Sequence, residues 1–370
     1  MKLNTKNLQE AINVLNKNIS NYAVFNIDDE NLILECDTDF IYTSNSNVEL
    51  KDYSSYMISL DKLKKITKVL DSKEIELEFK EKNNKTDLII NDNGVEISEI
   101  VEKQENEINI KKYENYLRLD AEEFIKILKD SKKFRSKDKC RILFTGQLLK
   151  YHNNSNTLDV VALDGYKIYV YTIEDVNTNI NQDFELILNQ KTIERLMKNK
   201  NSKEIEIQIN FKENEIEDTV IKLNNMFLYD NHTSGDYFNY KSTLRDEYDS
   251  EYVTKIDSKM ISKYIKYIDK CLKLQDKDQG GKVRPSMITS EIVDNQRIFK
   301  LKDNSTKVEL KEKSDAKDRF KIAFNGEYLK DLLELFKNED DVIVTMKNDV
   351  NPMILQKDNL LALLLPVRLI

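Results

Sequence analysis

The chain has no tryptophan, two histidines, three prolines and seven glycines in 370 residues. His152 and His232 leave little for general-base or metal chemistry, and no glycine-rich phosphate loop or nucleophile motif is present. Cys36, Cys140 and Cys271 stand far apart with no paired spacing, which predicts reduced thiols and neither a disulfide framework nor a metal site. Helix-turn-helix, zinc-finger and aromatic-rich RNA motifs are missing, which argues against base-specific readout. So little proline and glycine suits long continuous strands better than flexible linkers. No apolar window is long enough for a membrane span and no signal peptide opens the chain, so the expected compartment is the cytoplasm. No cofactor is expected.

What is present is length, charge and periodicity. The length exceeds one ordinary core and favours two or three domains. A net charge of -8 excludes a uniformly basic surface but not a local one. Six segments carry helical spacing: Leu8, Ala11, Ile12, Leu15; Leu63, Ile66, Val69, Leu70; Phe124, Ile127, Leu128; Ile193, Leu196, Met197; Ile261, Tyr264, Ile265, Ile268; and Leu329, Leu332, Leu333, Phe336. Asp120, Asn189, Asp257 and Asn325 are suited to cap four of them. Period-two strands follow the second helix of each pair: Glu74 to Phe79, Glu204 to Ile209 and Asp341 to Met346. The order helix, strands, helix, strands thus occurs three times, predicting an α+β protein with domains at 1–112, 113–243 and 244–370.

Lysines collect on the helices while acids crowd the strands. Lys259, Lys263, Lys266 and Lys270 fall in one arc opposite Ile261, Ile265 and Ile268. Lys126, Lys129 and Lys133 follow a similar spacing, Lys64, Lys65 and Lys68 lie on the second helix, and Lys191, Arg195 and Lys198 on the fourth. A single such stripe usually means a solvated face. Four of six helices carrying one suits a body whose helices face phosphates, with contacts that are salt-sensitive and independent of base sequence.

Two stretches add specificity. Val160 to Val170 (VVALDGYKIYV) is a pair of apolar strands around the hairpin signal Asp164-Gly165, and Leu360 to Ile370 (LLALLLPVRLI) is an apolar strand, a proline and a free tail. Phe144-Thr145-Gly146 precedes an apolar strand; Gly235-Asp236-Tyr237, Phe324-Asn325 with Tyr328-Leu329, and Asn351-Pro352-Met353-Ile354 complete the set. Each alone is an ordinary turn or core strand. Together, in this order, they resemble the bacterial DNA polymerase III beta subunit, the replicative sliding clamp. Leu163 to Ile168 is similar to the family's Thr-Asp-Gly-His-Arg-Leu, Gly235-Asp236-Tyr237 to its Pro-Asp-Tyr, and Phe324-Asn325 with Tyr328 to its Phe-Asn-x-x-Tyr. The resemblance covers the last two thirds of the chain in motifs and the first third in architecture. Tyr166 and Lys167 replace the family's His and Arg, the family's proline-containing loop after the first helix is short and polar here (Asn18 to Tyr22), and Ile370 extends the usual end.

The resemblance implies three similar domains per chain, each with two helices packed on antiparallel sheets, and two chains closing a ring around duplex DNA. It implies a peptide-binding cleft of Phe144, Leu163, Gly165, Tyr166, Lys167, Ile168, Asn239, Tyr240, Val283, Asn325, Tyr328, Val350, Pro352, Leu363, Leu365, Pro366, Val367 and Arg368. Lys137, Lys139 and Arg141 occupy the loop the family uses near DNA. An exposed strand edge from Gly94 to Ile100, with Val95 and Ile97, is expected at the dimer junction together with Leu272 and Leu274. The expected function is a non-catalytic processivity factor, with double-stranded DNA, a second copy, and polymerase and clamp-loader subunits carrying short clamp-binding peptides as partners. The alternatives are a metal-dependent nucleic-acid enzyme and a scaffold that has lost ring closure.

Overall fold

The structure, a computed structural model, describes residues 2–14, 21–27, 31–35, 40–45, 54–83, 85–104, 111–198, 202–224, 226–230, 233, 235–244, 252–274, 287–293, 296–302, 307–313, 321–348 and 350–368. Its helices are α1 (Thr5–Val14), α2 (Leu60–Lys68), α3 (Ala121–Asp130), α4 (Ile142–Thr145), α5 (Gln190–Lys198), α6 (Ser258–Lys273) and α7 (Gly326–Leu335). All six helices expected from periodicity are there, and the short α4 is an addition. All four proposed caps act: the side chains of Asp120, Asn189, Asp257 and Asn325 accept from the backbone N–H of Glu123, Thr192, Met260 and Glu327. Val69, placed on the apolar stripe of α2, is instead exposed just past its end, while Leu63 and Leu70 are buried.

The element order is strand, helix, four strands, helix, three strands, and it occurs three times, with a two-residue strand (Asn177–Thr178) added in the second pass. The strand before the first helix pairs antiparallel with the strand after the second in every pass: Leu3 opposite Ile75, Leu119 opposite Ile205, and Thr254 opposite Val344. Alternation makes this work. Ile205, Ile207 and Ile209 turn inward and are fully buried, while Glu204 points to solvent. Helix α6 buries Ile261, Tyr264, Ile265, Tyr267, Ile268 and Cys271 and exposes its lysine arc. Each fully buried aliphatic side chain contributes about 1.5–3 kcal/mol, so these faces fix which way each helix turns.

By contact the chain forms two compact units: Met1–Lys129 with His152–Asn156 and Asp175–Thr233, and Asp130–Tyr151 with Thr157–Glu174 and Ser234–Ile370. The units cut through the second pass because β-pairing continues from one pass to the next. In the first unit Phe40–Asn45 pairs with Met226–Asp230, and in the second Lys167–Ile173 pairs with Leu360–Leu364. Both junctions use equivalent strands, the third after the first helix and the last of the following pass.

Two strands are left over by this rule. Lys307–Lys313, the third strand after the first helix of the last pass, is the outer member of a four-stranded sheet, paired with Gln296–Lys302. Val95–Gln104, the last strand of the first pass, pairs with Lys85–Asp92; its other edge is paired, among the described residues, only at Glu102–Gln104.

Candidate peptide-binding pocket and lysine-bearing helices

The Asp164-Gly165 turn reverses the chain between Thr157–Leu163 and Lys167–Ile173, with Leu163 opposite Ile168 and Ile168 in turn opposite Leu363. Gly165 has φ +94, a value that favours glycine as the first central residue of a tight hairpin. The Asp164 side chain accepts from the N–H groups of Tyr166 (2.9 Å) and Lys167 (3.0 Å), which holds the turn closed. Burial pushes its carboxyl above the ordinary range, only partly offset by those bonds and Lys167.

Beside the turn lies an apolar pocket of about 120 Å³ lined by Phe144, Leu163, Gly165, Tyr166, Ile168, Phe238, Thr243, Leu363 and Leu365. Seven of these are residues the sequence resemblance names. Phe238 and Thr243 are additions from an irregular segment where no periodic signal exists. Phe144 sits on the single turn of α4, just before the strand Gln147–His152, and its ring meets Tyr237 edge-on at 5.5 Å between centroids.

The other expected cleft residues divide by role. Tyr166 is half exposed and its ring rests on Tyr328, 5.7 Å between centroids. Lys167 does not line the groove. It is 2% exposed, its Nζ lies 2.6 Å from Asp331 Oδ2, and the rings of Tyr328 and Phe134 cover it at 4.6 and 5.1 Å. Asn325 caps α7, Asn239 caps the short turn Tyr240–Ser242, and Tyr240 and Pro352 are buried. Val350 and Arg368 are exposed, and Pro366 and Val367 are half buried. The tail expected to be free is attached as far as it is described: Leu365 N donates to Tyr166 O (2.8 Å) and Val367 N to Ala323 O (2.7 Å). Val283 lies outside the described residues, as do Leu369 and Ile370.

Among the basic residues, Lys65, Lys68, Lys126, Lys129, Lys137, Lys139, Arg141, Lys198, Lys259, Lys263, Lys266 and Lys270 are exposed; Lys64 and Lys191 are half buried. Two placements need correction. Arg195 is 2% exposed and belongs to the packed side of α5, because 100° per residue carries it round beside Thr192 and Leu196. Lys133 is on the turn after α3 and pairs with Glu334 and Asp331 of α7, contacts that hold its ammonium above its ordinary pKa. Arg141 reaches toward the pocket turn, with Nη1 donating to Asp164 O at 3.4 Å. The arc on α6 faces an open trough of about 840 Å³, completed by Ser258, Ser262, Tyr267, Glu309, Leu310, Lys337 and Asn338. Of the expected dimer residues Val95 and Leu274 are exposed, and Ile97 and Leu272 half buried. Among the described residues no group of three His, Cys, Asp or Glu side chains is placed to share a metal, and no helix is long and apolar enough to cross a membrane.

No protein-family model and no curated protein sequence matches the chain. Its fold is that of the DNA sliding clamps. The solved structures it matches over its whole length include bacterial DNA polymerase III beta subunits. The one from Thermotoga maritima superposes with a TM-score of 0.79 at 14% identity, covering 100% of this chain and 99% of that one. The Helicobacter pylori beta clamp bound to a DNA ligase peptide gives 0.75 at 16% identity, with the same coverage. The Bartonella birtlesii sliding clamp bound to griselimycin gives 0.79 at 14%, again covering 100% and 99%. The chain is therefore a divergent example of the beta-clamp fold.

Proposed function

We propose that this protein is a sliding clamp: two chains close head to tail around duplex DNA and tether polymerase and other DNA-processing proteins through the pocket beside Asp164-Gly165. The observation that carries the reading is a pair of strand edges, Lys307–Lys313 and the 95–101 part of Val95–Gln104, that meet no second strand among the described residues. Within the chain, the third strand after the first helix of one pass joins the last strand of the next. Continuing that rule, Lys307–Lys313 of one copy would receive residues 95–101 of another, and the reciprocal pairing would close a ring of six modules, three per chain at 1–112, 113–243 and 244–370. The composition of the two strands is compatible with it: Val95–Gln104 carries Glu96, Glu99 and Glu102 against Lys103, and Lys307–Lys313 carries three lysines against Glu309 and Glu312, so opposite signs predominate on the two.

Retention would then be topological. The lysine arc of α6 supplies weak, sequence-independent phosphate attraction that permits sliding, while escape requires opening a strand pairing. The pocket accepts an apolar peptide anchor, with specificity coming from the walls around it. The clamps bound to a DNA ligase peptide and to griselimycin make peptidic partners the expected class. The test is retention on nicked circular DNA after loading by an ATP-driven clamp loader. The protein should stay on circles through a high-salt wash and be lost when the circle is cut. Equal loss from circular and linear DNA would contradict the reading.

A further inference from the structure

One wall of the pocket is built from a segment with almost no regular structure; Tyr237 packs its start against Phe144, and a buried carboxylate anchors its middle. Residues 235–244 contain only the short turn Tyr240–Ser242, yet they contribute Phe238 and Thr243 to the pocket. Phe238 is 46% exposed, so packing alone does not fix it. Two residues further on, Tyr240 is buried and its hydroxyl donates to Asp159 Oδ2 at 2.6 Å. Lys241 approaches the same oxygen at 3.2 Å. Asp159 is itself buried on the strand Thr157–Leu163, the strand that ends in the pocket residue Leu163, and its other oxygen accepts from the Thr172 hydroxyl at 2.8 Å.

We propose that Asp159 and Tyr240 are positioning residues for peptide recognition: their hydrogen bond fixes the Phe238–Thr243 wall against the Leu163–Ile168 wall and so sets the width of the pocket. The inference rests on the peptide-pocket reading above. A buried carboxylate whose oxygens are all engaged is a rigid anchor, since breaking any contact leaves a desolvated charge underserved. Its two oxygens divide the work. Oδ1 ties Asp159 to the neighbouring strand of its own sheet, and Oδ2 ties it to the irregular wall.

That division gives the test. Binding of a fluorescein-labelled copy of the H. pylori DNA ligase peptide is measured for the full chain, for Tyr240→Phe and for Thr172→Val, well below each melting temperature. Each variant deletes one hydroxyl donor to the same carboxylate. The proposal predicts weaker binding by about fivefold or more for Tyr240→Phe, the scale of one lost charge-assisted hydrogen bond, and affinity within about twofold of the parent for Thr172→Val. A merely structural role would move both variants alike. Unchanged affinity in Tyr240→Phe, or equal losses in both, overturns the proposal. If Tyr240→Phe folds poorly, Lys241→Met probes the same attachment from the surface, and unchanged affinity there overturns it too. Failure of the parent chain to bind either this peptide or griselimycin would instead count against the pocket reading itself.

Discussion

At the scale of single residues, Lys167 separates what spacing can show from what only packing can. Its place after Asp164-Gly165-Tyr166 suggests a groove-lining cation, but the side chain turns inward, onto Asp331 and between two aromatic rings. Removing one member of a largely buried ion pair leaves the other's charge desolvated, so Lys167→Met should cost about 2–3 kcal/mol of stability. It should also loosen Tyr328, whose ring covers the ammonium, and through it Tyr166, which rests on that ring. Denaturant unfolding of the variant checks this, and a loss no larger than for an exposed-lysine control would show that the pair contributes nothing. The apolar pocket residues were legible through the family resemblance carried by the Asp164-Gly165 strands and the apolar C-terminal stretch. Phe238, Thr243 and Asp159 were not. The first two sit in a segment without period, and a carboxylate in an apolar strand signals a partner without saying which. Arg195 failed for a related reason: a stripe read loosely around a helix cannot tell its edge from its buried side.

At the scale of elements, caps and apolar stripes fixed all six long helices, and period-two acidic strands located the sheets. Sequence could not reveal that the sheets continue across the expected domain boundaries, because strand pairing between distant segments leaves no local pattern. Among the helices, α6 has the fullest exposed lysine arc, whereas the α3 stripe is shortened by the diversion of Lys133 to α7. DNA affinity should therefore depend most on α6. Reversing Lys259, Lys263 and Lys266 together to glutamate should weaken association with DNA. The slope of log affinity against log salt should become shallower by roughly 0.9 for each lysine that contacts a phosphate. Titrations at several salt concentrations measure this; an unchanged slope would mean that the α6 trough does not face DNA. The variant's mass in solution should match the parent's, since none of the three lies on the strands proposed to close the ring.

At the scale of the whole molecule, three passes of one element order, joined at equivalent strands, leave Lys307–Lys313 and residues 95–101 at sheet edges with no second partner strand among the described residues. A strand edge in water is a standing invitation to pairing, and mutual satisfaction of the two edges requires a second copy. One chain has a mass of 43.6 kDa. Light scattering on the purified protein at micromolar concentration therefore tests the central claim most directly. A two-chain ring predicts 2 × 43.6, or about 87 kDa. A particle of 43.6 kDa under the same conditions would contradict ring closure and leave the clamp fold as a single-chain scaffold.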